Sequence, residues 1–174
     1  MTELNYNAGD ASGIGSALHQ WCADLWRINR SLTGPGVRAT LNYLNTKLAG
    51  KVAVHAVPSG TAAFDWTVPD EWTFRDAWVE NQAGDRVIDA QVSNLHVMGY
   101  SEPVDQWMDL DALQQHLYSL PEQPEAIPYV TSYYKRRWGF CLSEEQRQAL
   151  VPGRYRAVVD ADLKPGVLNY GELV

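Results

Sequence analysis

Apolar residues recur at helical spacing through the first fifty positions. One stripe runs from Ile14 to Ile28 and predicts a helix over residues 12–29. A second stripe runs from Val37 to Leu48 and predicts another helix, which ends at Gly50. The segment between them, residues 30–36, contains a Gly-Pro-Gly turn that breaks one helix and opens the next. The pattern therefore predicts a helix–loop–helix.

The pattern then changes to the two-residue alternation that is typical of strands. Residues 52–57 predict a short strand that ends at the sequence PSG. From Thr61 onward, apolar residues fall in short runs separated by turn residues. The sequence NQAG at residues 81–84 predicts a hairpin loop between two such runs, and two more strands are predicted at residues 154–161 and 167–174. We therefore expect a β-rich unit after Thr61.

Two short helices interrupt these predicted strands. Asp109 is the expected N-cap of a helix that carries Leu110, Leu113 and Leu117 and ends before a proline-rich connection. Ser143, followed three residues later by a glutamine, forms a capping box and predicts a helix to about residue 150. The fold class predicted is α+β or α/β, with an antiparallel β-rich domain inserted after the first strand of an α/β domain.

The composition is that of a globular protein. Of the 174 residues, 45% are hydrophobic and 20% are charged, which excludes a disordered tail, a collagen-like repeat and a coiled coil. The formal charge of −7 argues against nucleic acid as a partner. The sequence shows neither an apolar run of membrane-spanning length nor a signal peptide, so we expect no membrane association and no export. With only Cys22 and Cys141, a disulfide framework is excluded and a cytoplasmic location is expected.

The acidity is concentrated in one stretch. Six acidic residues and no lysine or arginine fall between Ser101 and Tyr134. A solvated surface is the first interpretation of this stretch, and an acidic docking surface is the alternative.

The titratable residues show no spacing typical of a metal or nucleotide site. The four histidines are separated by tens of residues, and none has the HxH, HxxxH or HExxH spacing of metal ligands. Residue spacing therefore predicts no metal or other cofactor in this chain. His96 is expected on a strand, on the face opposite Leu95 and Val97, either as a structural histidine or at a binding surface. Cys141 is flanked by aromatic residues and is expected to be an inert thiol, with a nucleophile as the alternative.

Two segments are dense in residues that bind ligands. Residues 30–38 combine two arginines, two hydroxyls and a turn, and form either an anion site or a helix–helix loop with an arginine at a helix C-terminus. Residues 127–140 place five aromatics beside three consecutive cations, and form either a platform for a sugar or peptide or a structural loop. The candidate substrate-binding residues are Arg30, Ser31, Thr33, Arg38, Asp65, Trp66, His96, Tyr133, Tyr134, Arg137 and Trp138. For Asp65 and Trp66, which lie between Phe64 and Pro69, packing is the first interpretation and a place on the same binding surface the alternative.

Several blocks of the sequence, in this order, closely resemble a bacterial protein family. They are RSLTGPGVR (30–38), VPSG (57–60), FDWTVP (64–69), NLHV (94–97), IPYVTSYY (127–134) with WGFC (138–141), and YGEL (170–173). The family is that of polysaccharide biosynthesis proteins with an aminopeptidase-like domain, whose middle region is a domain of unknown function. The resemblance covers residues 12–174.

This resemblance implies a di-zinc aminopeptidase-like α/β domain with an inserted β-rich domain. Residues 1–60 would be the start of the α/β domain, residues 61–153 the insertion, and residues 154–174 the return strands. The family's zinc ligands would follow the YGEL block, so no catalytic or metal-binding residue is carried over to this chain. Zinc is expected only in the full-length proteins, and the chain is expected to be a truncated form that is inactive alone.

Three functions stay open at this point. The chain is an N-terminal fragment whose insertion shapes the substrate cleft of a larger enzyme, a free-standing module that binds a saccharide or peptide, or an enzyme that uses Cys141 or His96. In the first case, the two helical stripes lack partners, which predicts self-association or low stability. Residues 61–153 would then be the part better protected from hydrogen exchange.

Overall fold

The structure is a computed structural model that describes residues 11–173. Its α-helices are α1 (Ala11–Trp26), α2 (Pro35–Lys47), α3 (Leu110–Gln114) and α4 (Glu144–Gln148), and a 3-10 helix spans Asn94–His96. The strands are β1 (Val52–Pro58), β2 (Ala62–Ala63), β3 (Trp66–Thr67), β4 (Glu71–Asn81), β5 (Arg86–Asp89), β6 (Val104–Asp109), β7 (Leu117–Tyr118), β8 (Phe140–Cys141), β9 (Arg154–Lys164) and β10 (Val167–Leu173). None of the helices within residues 11–173 is long and apolar enough to cross a membrane.

A four-stranded antiparallel sheet, in the order β5-β4-β9-β6, carries the main core. Side chains alternate along β9 and along each part of β4, whose register with β9 shifts between Phe74 and Asp76. The buried residues of the inner face are Trp72, Ala77, Val79, Tyr155, Ala157, Val159 and Ala161. Leu113, Leu117, Phe140 and Leu142, which come from α3, β7 and the β8 region, belong to the same buried cluster. Burying each of these larger apolar side chains contributes about 1.5–3 kcal/mol.

The opposite face of the sheet is covered by ion pairs. Arg75 contacts the carboxylates of Asp160 and Asp162 at 2.5 and 2.7 Å. Arg156 contacts Asp105 at 2.7 Å, and the hydrogen bond holds the pKa of Asp105 below its ordinary value. Asp105 belongs to the acidic stretch of the sequence, and its pairing favours the interpretation of a solvated surface there.

A separate two-stranded sheet joins β1 to β10 in antiparallel register from Val52 to Pro58. Leu41 of α2 packs over Gly171 of β10. Next to the last pair of this ladder, the Ser59 N–H donates to the Gly166 carbonyl at 2.9 Å, and the Gly166 N–H donates to Ser59 Oγ at 3.0 Å. The chain therefore leaves this sheet and returns to it at adjacent points.

The apolar stripe of α1 is only partly covered. Leu25 is buried near the end of the helix, whereas the Leu18 side chain is half exposed and Ile14 and Trp26 are exposed. The expectation of self-association through these helices stays a prediction.

Most predicted elements are present, and the mixed α and β class with antiparallel sheets is confirmed. The hairpin around residues 81–84 and the Ser143 capping box are found as expected. The aminopeptidase-like α/β arrangement and the boundaries 1–60, 61–153 and 154–174 stay predictions. Within the last range, β9 pairs with β4 and β6, whereas β10 pairs with β1. The predicted extension of the last strand to Val174 lies outside the described residues.

Two local expectations were wrong. His96 lies in a 3-10 helix and not on a strand, because the Ser93 side chain accepts the Leu95 N–H and starts a tight turn. Leu117 lies in β7 and not in a helix, because it pairs in parallel with Phe140 of β8. Both outcomes depend on contacts that helical or strand periodicity does not encode.

Candidate functional site

An open cleft of about 520 Å³ lies between residues 60–70 and residues 132–136. It brings together residues that are far apart in the sequence. The side chains that characterise its chemistry are those of Asp65, Trp66, Asp70, Tyr100, Tyr134 and Arg136. Four of the sequence-predicted candidates, Asp65, Trp66, Tyr133 and Tyr134, line this cleft together.

A small hairpin forms one wall of the cleft. β2 and β3 pair through Ala63 and Trp66, and the turn between them places Phe64 at φ 56° with its side chain fully exposed. The Ser59 hydroxyl donates to the Pro69 carbonyl at 2.8 Å and closes the base of the hairpin. This closure fixes the half-buried Trp66 at the cleft, where its indole ring offers a flat apolar surface.

Tyr100 forms the floor of the cleft and is hydrogen-bonded to Thr33, which comes from a distant segment and does not itself line the cleft. Thr33 Oγ1 lies 2.5 Å from the hydroxyl of Tyr100 and accepts the backbone N–H of Trp72 at 3.0 Å. Burial raises the pKa of Tyr100 to about 12, so its phenol stays protonated at neutral pH. The Trp72 and Tyr100 rings are stacked with centroids 5.8 Å apart. The loop at residues 30–36 thereby holds the Tyr100 ring in place.

The second wall is aromatic. The Tyr133 and Tyr134 ring centroids lie 4.2 Å apart, and the Tyr134 side chain is 74% exposed. Ser132 is buried and donates to the Tyr100 carbonyl at 3.1 Å, which ties this wall to the floor. Trp66 and Tyr134 are thus aromatic surfaces on opposite walls of one cleft, an arrangement that suits stacking against a flat ligand.

The charges of the cleft are mostly paired. Arg136 contacts Asp70 at 2.9 Å and lies 3.9 Å from Glu102. Asp65 is exposed and makes no ion pair with any residue in the part of the chain that the structure describes. The cleft can therefore offer a carboxylate to a ligand ammonium or hydroxyl, next to an arginine whose position is fixed by its acidic partners.

Arg30 and Arg38 do not line the cleft but form contacts within the fold. Arg30 Nη1 donates to the Leu25 carbonyl at 2.7 Å, at the C-terminus of α1. Arg38 pairs with Glu71 at 2.6 Å and joins α2 to β4. The half-buried Ser31 and the buried Thr33 lie between them, so this segment has the contacts of a helix–helix loop. An anion role for these residues stays a prediction.

The remaining candidates also lie outside the lining of the cleft. His96 is buried, with Nδ1 2.7 Å from the Cys141 carbonyl. Trp138 stacks on His116 with a centroid distance of 3.6 Å. The guanidinium of Arg137 lies 5.9 Å from the centre of the Tyr118 ring.

The geometry does not favour Cys141 as a nucleophile. Its side chain is fully buried, and burial raises the pKa of the thiol to about 11, so the reactive thiolate is scarce at neutral pH. His96 contacts the backbone of this residue and not its sulfur.

The candidate set from the sequence left out Asp70, Tyr100 and Arg136, all of which line the cleft. Arg136 lies in the basic run that drew attention to residues 127–140, and Asp70 directly follows Pro69. Tyr100 carries no signal of its own in the sequence, because its role depends on Thr33, 67 residues away.

The described residues do not fit a zinc centre. Within residues 11–173, no group of three or more histidine, cysteine, aspartate or glutamate side chains is arranged to hold a metal ion. A structural or catalytic zinc site needs three or four such ligands. We therefore derive no chemistry through zinc from these residues.

A family model described as a domain of unknown function (DUF2172) matches residues 71–162. The chain belongs to the DUF2172 family. The DUF2172 region contains the four-stranded sheet nearly to its last residue, together with Tyr100, Tyr134 and Arg136 of the cleft. Trp66 and Asp70 lie immediately before it. Half of the cleft is therefore built by residues that precede the DUF2172 region.

The resemblance noted from the sequence blocks is confirmed by a relative from Clostridium acetobutylicum. That protein is named for polysaccharide biosynthesis and an aminopeptidase-like domain, and it is 42% identical over 172 residues. The match covers 99% of this chain and 39% of the relative. A crystal structure from the same organism, of a protein named as a peptidase, superposes with a TM-score of 0.89 at 42% identity and covers 94% of this chain and 38% of that one. The chain spans about two fifths of the length of these relatives.

Proposed function

We propose that this chain is the substrate-binding N-terminal part of an aminopeptidase-like hydrolase and that it does not hydrolyse peptides by itself. The cleft between Trp66 and Tyr134 is the observation that carries the proposal. The names of the two relatives support the hydrolase class, and the share of their length that this chain matches supports its being one part of such a protein.

The cleft suits a short peptide or a saccharide. Aromatic rings on both walls stack against the apolar face of a sugar or the side chain of a peptide. Asp65 can accept hydrogen bonds from a peptide's terminal ammonium or from sugar hydroxyls, and Arg136 is held by Asp70 beside it. A metal-bound water would supply the nucleophile in a zinc peptidase. We propose that the ligands of such a metal come from the part of the longer relatives that this chain does not match.

Two measurements on the purified chain test this proposal. We expect no hydrolysis of leucine p-nitroanilide with or without added zinc. By calorimetry, we expect binding of the tripeptide Leu-Gly-Gly or of the neutral trisaccharide cellotriose. Trp66→Ala should weaken that binding about tenfold, because loss of an aromatic stacking surface is worth about 1.4 kcal/mol.

Trp107→Ala is the matched control, since Trp107 is an exposed tryptophan on β6 that does not line the cleft. Binding that is equal in the two variants, or no binding of either ligand, would refute the role of the cleft. Hydrolysis that requires zinc and is abolished by a chelator would refute the expected inactivity.

A free-standing binding module is the second candidate. The observation in its favour is that residues 60–163 supply every side chain that lines the cleft. If this candidate is right, the cleft should bind its ligand equally well in this chain and in a longer protein that carries it. Under the main proposal, the longer protein should bind more tightly, because its additional part would contact the same substrate.

A further inference from the structure

A second pocket, of about 410 Å³, adjoins the aromatic wall of the cleft. It is lined by Thr131, Ser132, Tyr133, Tyr134, Lys135 and Arg137. Two of these residues are cations, three carry hydroxyls in addition to the buried Ser132, and none is acidic. Ser132, Tyr133 and Tyr134 also line the cleft, so the two cavities share one wall.

The two cations of this pocket differ from four arginines that are closely paired with carboxylates. Arg38, Arg75, Arg136 and Arg156 each contact a carboxylate at 2.9 Å or less. Lys135 and Arg137 form no ion pair with any residue between positions 11 and 173. In a protein with a net charge of −7, two unpaired cations in one pocket form a local positive site.

Most hydrogen-bonding capacity of these two side chains is unused. Arg137 Nη2 makes a long contact of 3.4 Å with the Thr131 carbonyl, and its guanidinium lies 5.9 Å from the Tyr118 ring centroid. A guanidinium has five N–H donors in a planar fork, and an ammonium has three donors. Both groups bind carboxylate and phosphate oxygens through charge-assisted hydrogen bonds, the arginine in a bidentate manner.

We infer that Lys135 and Arg137 bind an anionic group, a carboxylate or a phosphate, of a ligand whose ring lies against Tyr134. Tyr133 also lines this pocket, and its phenol hydroxyl is a further hydrogen-bond donor for the same anion. Because Tyr134 lines both cavities, one ligand can place a neutral part in the cleft and an acidic part in this pocket. Anion binding at Lys135 and Arg137 does not depend on the peptidase assignment.

The experiment compares three probes of similar size: glucose, glucuronate and glucose 1-phosphate. Binding is measured by NMR titration of the full 174-residue chain at pH 7 and low salt. We expect at least one of the two anionic sugars to bind at least tenfold more tightly than glucose. Preference for glucuronate assigns the site to carboxylates, and preference for glucose 1-phosphate assigns it to phosphates. The preference should shrink when sodium chloride is raised to 0.5 M, because salt screens exposed charges.

Variants locate the effect. Lys135→Gln and Arg137→Gln should each remove most of the preference, and Arg137→Lys should keep part of it, because the charge stays while the fork is lost. Lys51→Gln is the control, since Lys51 is an exposed lysine outside both cavities. Far-UV circular dichroism confirms that the variants are folded.

The inference would be overturned by equal binding of all three sugars, by no binding of any up to 50 mM, or by a preference that survives both glutamine variants. A failure of this kind is separate from failure of the proposed function, which is measured with an uncharged trisaccharide and a tripeptide and with Trp66→Ala. Loss of the preference in Lys51→Gln would also overturn it, because the effect would then be one of net charge.

Discussion

Thr33→Val removes one hydroxyl that joins three separate segments of the chain. Thr33 Oγ1 accepts the Trp72 N–H at 3.0 Å, contacts the Tyr100 hydroxyl at 2.5 Å and lies 3.5 Å from the Asp70 carbonyl. The Thr33 side chain is 2% exposed, so water does not replace these partners. Valine has nearly the same shape, and the substitution therefore tests the hydrogen bonds with little change in packing.

The magnitude follows from the groups that lose a partner. A buried donor without a partner costs about 1–3 kcal/mol. The Trp72 N–H loses its bond to the Thr33 hydroxyl, and the Tyr100 hydroxyl loses its close contact with the same atom. We therefore expect a loss of about 2–4 kcal/mol in the free energy of unfolding, out of the 5–15 kcal/mol that is typical of a folded domain. At about 2–4 °C per kcal/mol for a chain of this size, the Tm should fall by about 4–16 °C.

Urea denaturation followed by tryptophan fluorescence measures this loss. Two matched variants accompany it. Thr33→Ser keeps the hydroxyl and should lose clearly less stability than Thr33→Val. Thr46→Val removes a hydroxyl that donates to the Asn42 carbonyl on the exposed surface of α2, and should change stability by no more than about 0.5 kcal/mol. If Thr33→Val is as stable as Thr33→Ser, the hydrogen-bonded floor of the cleft does not stabilise the fold and the reasoning is wrong.

Three further predictions concern stability. The hydrogen bond from Arg38 lowers the pKa of Glu71, so the pair stabilises the fold above the unfolded-state pKa of about 4.3 and loses this effect as the pH falls through the folded-state pKa. The stability difference between the wild type and Glu71→Gln, measured by urea denaturation, should therefore shrink between pH 5 and pH 3. A constant difference would contradict this. Gly34 has φ 98°, and an added Cβ would lie 2.1 Å from the Trp72 carbonyl oxygen. Gly34→Ala should therefore lower the free energy of unfolding by at least about 3 kcal/mol. The control Gly84→Ala should lower it by about 1 kcal/mol, because φ is 86° there but the surrounding space is open. In hydrogen exchange, β4 and β9 should be far better protected than α1, and equal protection would show that the exposed stripe of α1 is covered in solution.

Local features of the fold could be predicted from the sequence because they depend on neighbouring residues. The spacing of apolar residues from Val37 to Leu48 indicated α2, which the structure has at Pro35–Lys47, and Ser143 with Gln146 indicated the start of α4. Pairings between distant residues were not predictable in this way. The parallel pair of Leu117 and Phe140 converts the end of a predicted helix into a strand, and nothing within either segment indicates it.

The candidate site shows the same division. Trp66 and Tyr134 are both candidates from the sequence, with packing as the other interpretation of Trp66, but only the fold shows that they line the same cleft. Arg38 drew attention as a fixed charge, and the structure pairs it with Glu71 instead of leaving it free. Tyr100 was missed, because a buried phenol becomes relevant only through its contact with Thr33. Residue type thus indicated the chemistry, whereas long-range contacts decided its location.

The pairing of β1 with β10 makes the intervening part of the chain removable in principle. Pro58 and Val167 are register partners, and Ser59 and Gly166 are joined by two hydrogen bonds. A turn of two residues could connect the strands at this point and leave an ordinary β-hairpin. An ancestral fold could therefore acquire or lose the segment of residues 59–166, with its sheet and both cavities, while the strands on either side kept their register. The ladder at its base would act as a modular junction through which binding surfaces are exchanged during evolution.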